Sequence, residues 1–373
     1  MKQSETKKII IDITKMFLLS RLLLIFVVAI FKMVSGEDCL SNVVNSWDSG
    51  WYNYIAQNGY GIDIPLNEAN HHDWAFFPLY PFMMRLVKLI TRCTSWDTAG
   101  MIVSNICTLV AGIVSVKYVK LTRPDMKDPY LPTILMFFGP WSFYFFLNYT
   151  EGLFCMLLVI FFYYVKKKRY LLAAAAAAFA SATRVVGVLL VFVLIWNIIV
   201  NEMDKKNPKE LVKLIIRNPK TLLSVLLCPL GAFSYMLMLY FKSGDVWAFM
   251  RAQQAWGRDS KGIYMFVTSF RETGNVVHLM LSLIIIICFL LYFRLLREKR
   301  WDEGGYAIVT AVIPFVSGLY SMIRYFSGTY FIHILVAQWL ERNERYKDTI
   351  LAVMIVAECV LFYYWMVGTI YLI

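Results

Sequence analysis

Long apolar stretches constrain this chain more than any other feature of its sequence. They recur from one end to the other, and 59% of the 373 residues are hydrophobic while only 17% are charged. A soluble domain has about 45–50% apolar and about 25% charged residues, so this composition is typical of a protein that lies in a bilayer. The sequence therefore predicts an all-α polytopic membrane protein.

Eleven apolar stretches are candidates for membrane spans. Several are shorter than the ~20 residues that a straight crossing requires, so their bounds are approximate. They cover 13–34, 98–116, 131–147, 151–165, 170–183, 186–200, 221–241, 276–293, 305–322, 327–340 and 349–370.

Residues 78–93 show a different pattern. Arg85, Lys88 and Arg92 recur at helical spacing on one face, while apolar residues occupy the other faces. This arrangement is typical of a helix that lies in the membrane interface, and we predict one here. A true span at this position would invert every later loop and move the basic clusters outside, which argues against it.

The basic residues predict which side of the membrane each loop faces. With the N-terminus in the cytoplasm, twenty-five of the 37 Lys and Arg fall in cytoplasmic segments, whereas 35–75 has none. This asymmetry follows the positive-inside rule and explains most of the net charge of +12 without a nucleic-acid partner. We expect one domain, 1–373, with outer loops at 35–97 and 242–275.

Four ionisable residues from distant parts of the chain are expected at the same outer face. They are Asp48, Glu151, Arg184 and Arg324. Ionisable groups at this depth are costly unless they face a cavity or one another. Their shared position therefore predicts an outward-facing site.

Each of the four also has a structural interpretation that the sequence leaves open. Asp48 is either a general base or a solvated cap of a helix that starts at Trp51. Glu151 either sits favourably in the first turn of a helix with Thr150 as its cap, or accepts hydrogen bonds from a sugar hydroxyl or an acceptor amine. Arg184 and Arg324 either snorkel to the interface or bind a lipid phosphate through the guanidinium fork.

The sequence predicts neither a metal site nor a disulfide framework. His71 and His72 precede Asp73, but adjacent residues rarely bind one ion and no third ligand is suitably spaced. These residues are expected to form a polar rim, or else to hydrogen-bond a sugar or phosphate through His72 or Asp73. The seven cysteines show no CxxC spacing, and a bridge between Cys39 and Cys93 stays open.

The loop 242–275 is an exception to the positive-inside pattern. It is predicted outside, yet it has five basic residues, among them Arg258, with interleaved aromatic residues such as Trp247 and Trp256. This composition favours an amphipathic element on anionic headgroups or a lid over a phosphate-bearing lipid. Ordinary solvated charge is the alternative.

Several motifs resemble the PIG-V mannosyltransferase family. The similar elements are Trp47-Asp48 with Tyr54–Tyr60, Ala75–Pro81, Tyr149–Phe154, Thr183-Arg184 with Gly187, Arg324-Tyr325, and a segment from Gly244 to Arg258 seen chiefly in bacterial members. They occur in order between residue 47 and about residue 330. Two departures are Gly139-Pro140, where the family has Ser-Pro, and Thr150, where it has Ser.

The resemblance implies a GT-C fold whose first outer loop bears the catalytic acid. It implies transfer of a sugar, typically mannose, from a polyprenyl- or dolichyl-phosphate donor, with inversion and without a metal or cofactor. The acceptor would be a glycan or glycolipid, and the location a bacterial plasma membrane, or the ER membrane in a eukaryote. Asp48 would be catalytic, and the substrate-binding residues would be Trp47, His72, Asp73, Glu151, Arg184, Arg258, Arg324 and Tyr325.

A transporter or lipid flippase is the competing class. Such a protein is also all-helical, but it is expected to have repeat-related halves and ionisable residues near the middle of the membrane. No internal repeat is visible, and Glu358 is the one acidic residue that suits that position. The sequence therefore favours the glycosyltransferase.

Overall fold

The computed structural model describes residues 3–36, 47–61, 73–203, 208–255, 262–271 and 276–369. These ranges contain α-helices and short 3-10 helices and no strand, so the all-α prediction is confirmed. The α-helices are α1 Gln3–Ser35, α2 Asp48–Asn58, α3 Leu79–Thr91, α4 Trp96–Thr122, α5 Leu131–Phe138, α6 Glu151–Lys166, α7 Tyr170–Thr183, α8 Leu190–Glu202, α9 Pro208–Arg217, α10 Pro219–Leu227, α11 Leu230–Ser243, α12 Ala248–Ala255, α13 Gly262–Ser269, α14 Val276–Arg297, α15 Trp301–Ser317, α16 Met322–Gly328, α17 Phe331–Arg342 and α18 Glu344–Met366. The 3-10 helices are Asp73–Ala75, Ser142–Phe145 and Val185–Leu189.

Five helices within these ranges are long and apolar enough to cross a membrane. They are α1, α4, α14, α18 and the joined 3-10 and α-helical stretch Val185–Glu202. Helices α10 and α11 would add a sixth span if they count as one, although they are bent by 51°. Five to six long apolar helices indicate a multi-pass membrane protein.

The figure of about eleven spans stays a prediction. Helices α6, α7 and α17 occupy three of the predicted stretches, but they have only 16, 14 and 12 residues. At 1.5 Å per residue, the longest of them reaches roughly 24 Å, short of a hydrocarbon core of about 30 Å. The polar segments at their ends explain the shortness, because α6 begins at Glu151 and α7 ends just before Arg184.

The segment predicted as an interfacial helix forms α3. It exposes Phe82 and Leu89, as an interfacial helix would. Arg85, however, turns toward the protein and donates from Nε to the Ala56 carbonyl (2.5 Å) and from Nη2 to the Ile55 carbonyl (3.1 Å). These bonds satisfy carbonyl groups at the C-terminus of α2 and so fix that helix on α3. Whether α3 lies in the interface stays a prediction.

Helices α4, α6 and α7 form the centre of the core. Helix α6 approaches α4 closely at Gly152, where an added Cβ would lie 2.6 Å from the Ser104 carbonyl oxygen and 2.6 Å from Thr108 Oγ1. The alanine-rich α7 buries Ala173 and Ala177 and packs against α6, α10 and α11. Small side chains allow these close approaches, as the alanine run predicts.

Candidate active site

Asp48 is the first residue of α2 and lies at the end of a cavity. The preceding residue, Trp47, adopts a positive φ of 61°. The helix starts at Asp48 rather than at Trp51, and the Asp48 carboxylate pairs with a distant arginine. Arg324 Nη1 donates to Asp48 Oδ2 at 2.7 Å.

A buried polar cluster fixes α2 at this position. The Tyr80 hydroxyl of α3 lies 2.9 Å from the Gly100 carbonyl oxygen and 2.7 Å from Ser104 Oγ, both in α4. It also lies 3.0 Å from Asn148 Oδ1, and the Asn148 amide donates to Asn53 Oδ1 of α2 at 2.8 Å. Since each buried polar group has a partner here, the cluster rigidly links the helix that bears Asp48 to the start of α6.

Glu151 connects two arginines. Its Oε1 atom accepts a hydrogen bond from Arg184 Nη2 and lies 3.2 Å from Arg324 Nε. The carboxylate is fully buried and begins α6, where the helix dipole stabilises negative charge. Together with the Asp48–Arg324 pair, these contacts join all four residues that the sequence predicted at one face.

Neither arginine snorkels to the interface. The side chains of Arg184 and Arg324 are 13% and 5% exposed. Arg184 also donates from Nε and Nη2 to Thr150 Oγ1 at 3.0 and 2.7 Å. Thr150 therefore does not cap α6 through its side chain, and that expectation is wrong. Its hydroxyl oxygen instead accepts from the arginine.

Aromatic rings support both guanidinium groups. The Tyr325 ring lies beneath both, and its centroid is 5.4 Å from Arg184 Cζ and 5.9 Å from Arg324 Cζ. The ring centroid of Tyr149 lies 5.3 Å from Arg324 Cζ, and that of Phe154 lies 5.4 Å from Arg184 Cζ. Such rings attract cations and restrict the planes of the guanidinium groups, so the two arginines are held in fixed directions.

A cavity of about 680 Å³ opens onto this network. Asp48, Thr150, Arg184, Arg324 and Tyr325 line it, whereas Glu151 is not among the lining residues. Apolar side chains from Val185–Leu189, α11 and α15 form much of the remaining wall; they include Val185, Val188, Leu189, Phe233, Met236 and Ile313. The cavity thus offers charged groups together with apolar walls, as ligand pockets commonly do.

Tyr52 is a lining residue that the sequence analysis did not single out. It is one turn along α2 from Asp48 and is 7% exposed. Burial raises the pKa of the Tyr52 phenol well above its usual value, and the charge of Asp48 raises it further. The hydroxyl therefore stays protonated at neutral pH and interacts with the Thr150 side chain beside the cavity. Its position one turn from Asp48 on a helix face is the signal that could have revealed it.

The segment 247–253 also contributes to the cavity wall. Trp247, Phe249, Arg251 and Gln253 line it, and Gln253 Nε2 lies 3.4 Å from the Ala75 carbonyl oxygen. Part of the loop predicted as a lid therefore covers the site, while its action as a lid stays a prediction. The interleaved aromatic and basic residues of this loop, Trp247 among them, had marked the segment in the sequence.

Four predicted substrate-binding residues lie away from the charged network or outside the described residues. Asp73 Oδ2 accepts a hydrogen bond from the Gly61 amide at 2.7 Å, which ties a turn of the first loop together. Trp47 is 38% exposed. Neither is among the residues that line the cavity. His72 and Arg258 lie outside the described residues.

The described ranges contain no group of three His, Cys, Asp or Glu side chains that could hold a metal ion. Asp48 and Glu151 are each bound to arginine rather than arranged around a common centre. Cys93 is a free thiol whose Sγ lies 3.6 Å from the Ser95 carbonyl, and Cys39 falls outside the described residues.

Neither a protein-family model nor a curated protein matches this chain.

Proposed function

We propose that this protein is an integral-membrane glycosyltransferase that uses a polyprenyl- or dolichyl-phosphate sugar as donor. The observation that carries the proposal is the cavity in which a carboxylate and two buried arginines occur beside apolar walls. A lipid-phosphate sugar has a matching chemistry, since it combines an anion, a polar sugar and a long apolar chain. The resemblance to PIG-V motifs adds mannose as the sugar and inversion as the stereochemical outcome.

In the proposed reaction Asp48 acts as the general base. The acceptor hydroxyl oxygen attacks the anomeric carbon of the donor sugar, and its proton passes to the Asp48 carboxylate. The bond between the anomeric carbon and the phosphate oxygen breaks, and its electron pair stays on the lipid phosphate. Arg184 and Arg324 stabilise the charge that grows on this leaving group, which is where preorganised cations lower a barrier most.

The apolar wall would bind the lipid chain of the donor. Phe233 and Val185 line the cavity and are 56% and 42% exposed. Accessible apolar side chains of this kind can bury the surface of a lipid chain. An apolar wall beside the charged groups supports a lipid-linked substrate over a soluble nucleotide sugar.

The finer topology belongs to the same proposal. A GT-C arrangement of about eleven spans would place this cavity at the outer or luminal face, in a bacterial plasma membrane or the ER. Glycan or glycolipid acceptors would then approach from that side. Labelling of single cysteines introduced into the 35–97 and 294–300 segments tests the orientation, because only the first should react with a membrane-impermeant reagent from outside.

One observation favours the competing class of transporters or flippases. Arg21 and Glu358 are buried in the long helices α1 and α18, which pack together, and they lie within electrostatic reach of each other. Their side-chain nitrogens and oxygens have no hydrogen-bond partner among the described residues. Buried ionisable groups inside spans often mark an ion pathway. Loss of ion or lipid flux in an Arg21→Met, Glu358→Gln double variant would support this alternative.

The decisive experiment is sugar transfer in proteoliposomes. Purified protein is incubated with labelled polyprenyl-phosphate mannose and a membrane extract, and the labelled product is identified. We expect Asp48→Asn to reduce transfer by about 10²- to 10⁴-fold, the range of a lost general base, with unchanged folding. Glu298→Gln is the matched control, since it removes another arginine-paired carboxylate, bound to Arg294 at 2.8 Å in the region 294–300. Full activity of Asp48→Asn would contradict the proposal.

A further inference from the structure

The charged groups at the site balance one another. Among the described residues the network joins two carboxylates, Asp48 and Glu151, to two guanidinium groups, Arg184 and Arg324. An anionic ligand that enters the cavity therefore meets no excess positive charge in this network. An anion that binds Arg324 Nη1 must compete with the Asp48 carboxylate that already pairs with it.

The two carboxylates differ in how easily a ligand in the cavity can displace them from their arginines. Glu151 is fully buried and is not among the residues that line the cavity, so a ligand in the cavity has no path to replace it. Asp48 lines the cavity, and so does its partner Arg324. Their bond, from Nη1 to Oδ2, is 2.7 Å long, and both of its residues are accessible from the cavity.

We propose that Asp48 is a displaceable counter-ion of Arg324, so that the lipid phosphate of the donor takes over this guanidinium and releases Asp48 for catalysis. The inference rests on the proposed function, since it assigns both the ligand and the base to the same site. It defines the order of binding: the donor enters first, and the acceptor is deprotonated only afterwards.

The chemistry of the carboxylate explains why this order matters. An adjacent arginine favours the charged form of a carboxylate and makes it a weaker proton acceptor. Once a phosphate binds Arg324, Asp48 loses that stabilisation and faces a second anion, so it accepts a proton more readily. The acceptor hydroxyl then gives its proton to Asp48 while the sugar–phosphate bond breaks and its electron pair remains on the phosphate. Without donor, Asp48 stays bound and inactive.

Equilibrium binding of a lipid phosphate tests the displacement directly. The probe is undecaprenyl phosphate, titrated against purified full-length protein in nanodiscs. If Asp48 competes for Arg324, then Asp48→Asn and Asp48→Ala should bind the probe roughly tenfold more tightly than the wild type, the effect of freeing one charged hydrogen bond. The alanine variant is needed because an asparagine oxygen can still accept from Arg324. Glu298→Gln should bind like the wild type.

The same binding measurement in a protein that carries a second substitution distinguishes displacement from general repulsion between two anions. In an Arg324→Gln protein the substitution Asp48→Asn should no longer tighten binding, because the contested guanidinium is absent. Equal tightening in both backgrounds would overturn the proposal, as would unchanged or weaker binding of the Asp48 variants. Absence of probe binding to every variant would overturn both this inference and the lipid-phosphate donor. Tighter binding without sugar transfer by the wild type would leave the displacement intact and contradict only the proposed reaction.

Discussion

Helix α6 has a buried ionic network at each end, and the two differ in what they face. At its N-terminus Glu151 binds Arg184 and Arg324 beside the cavity. At its C-terminus, roughly 22 Å away by helical rise, Lys166 donates to Asp302 at 2.5 Å. Both networks place acidic residues in the first turn of a helix, where the dipole favours them.

The second network is closed in the sense that it does not reach the cavity. Arg123 and Glu303 form an ion pair whose side chains are both 0% exposed, and the Tyr118 hydroxyl donates to the same carboxylate. Arg300 adds an ion pair to Glu303 at 3.3 Å, and its Nη2 donates to the Thr122 carbonyl at 2.5 Å. None of these five residues is among those that line the cavity.

The comparison shows that burial of an arginine–carboxylate pair does not by itself mark an active site. Glu303 and Glu151 have the same burial and the same kind of partner. What distinguishes the first network is access, because Asp48 and two arginines of that network also line a cavity. Substitutions at the closed network should therefore change stability, whereas substitutions at the open network should change substrate use.

Glu303→Gln should have the largest effect on stability. It removes the charge that balances Arg123 in a fully buried site, and breaking such a pair costs about 3–5 kcal/mol. The measurement is thermal unfolding in detergent, followed by transfer activity per folded molecule. We expect a lower melting temperature and unchanged activity of the folded fraction. A stable Glu303→Gln protein with lost transfer would reverse the assignment of the two networks.

Arg324→Lys should have a smaller effect on stability and should change donor binding and the transfer rate. A lysine ammonium is a point charge and cannot contact Asp48 and Glu151 in the two directions that the guanidinium uses. We expect the KM for the lipid-phosphate donor to rise by roughly 10- to 100-fold, as for one or two lost charged hydrogen bonds. Initial rates at varied donor concentration provide the measurement. An unchanged KM would argue against phosphate binding by Arg324.

Gly152→Ala should cause a moderate loss that links packing to the site. The new Cβ would meet the Ser104 carbonyl oxygen and the Thr108 hydroxyl, which forces α6 away from α4. Overpacking of this kind costs about 1–3 kcal/mol, and it shifts the start of α6, where Glu151 lies. Both melting temperature and transfer rate should fall. Loss of stability alone would show that the position of α6 tolerates movement.

Lys127→Met should have the smallest effect. Lys127 pairs with Glu344 at 2.6 Å, but their side chains are 74% and 62% exposed. Exposed ion pairs contribute little because water and salt screen them. We expect neither the melting temperature nor the transfer rate to change measurably. A clear loss of stability would mean that this pair is less exposed in the membrane than in the isolated chain.

The sequence was sufficient to select the members of the open network but not their connections. Asp48, Glu151, Arg184 and Arg324 stood out because ionisable groups are rare and costly in an apolar chain. Their pairing depends on side-chain directions at the ends of four different elements, which no local pattern encodes. The same limit explains Thr150, whose position before α6 resembled a helix cap although its hydroxyl binds Arg184.

The basic clusters at 117–127, 166–169 and 294–300, which are predicted to be cytoplasmic, also have contacts that the sequence could not indicate. The positive-inside rule accounts for their number, and it assigned no individual role to Arg123, Lys166 or Arg300. In the fold they bind the acidic pair Asp302 and Glu303 at the start of α15, because the ends of α4, α6 and α14 lie next to it. Nothing in the spacing of these clusters indicates that convergence.

By itself the sequence determined that this chain is helical and apolar enough for a membrane, because hydrophobicity and helix formation depend on residues close together along the chain. It also determined which few charged residues require an explanation. Only the tertiary structure decided that Glu151 lies behind the arginines and Asp48 in front of them, since that order depends on how closely α6 packs against α4 and where α2 and α16 begin. The position of a charge relative to a cavity is a property of packing between distant segments.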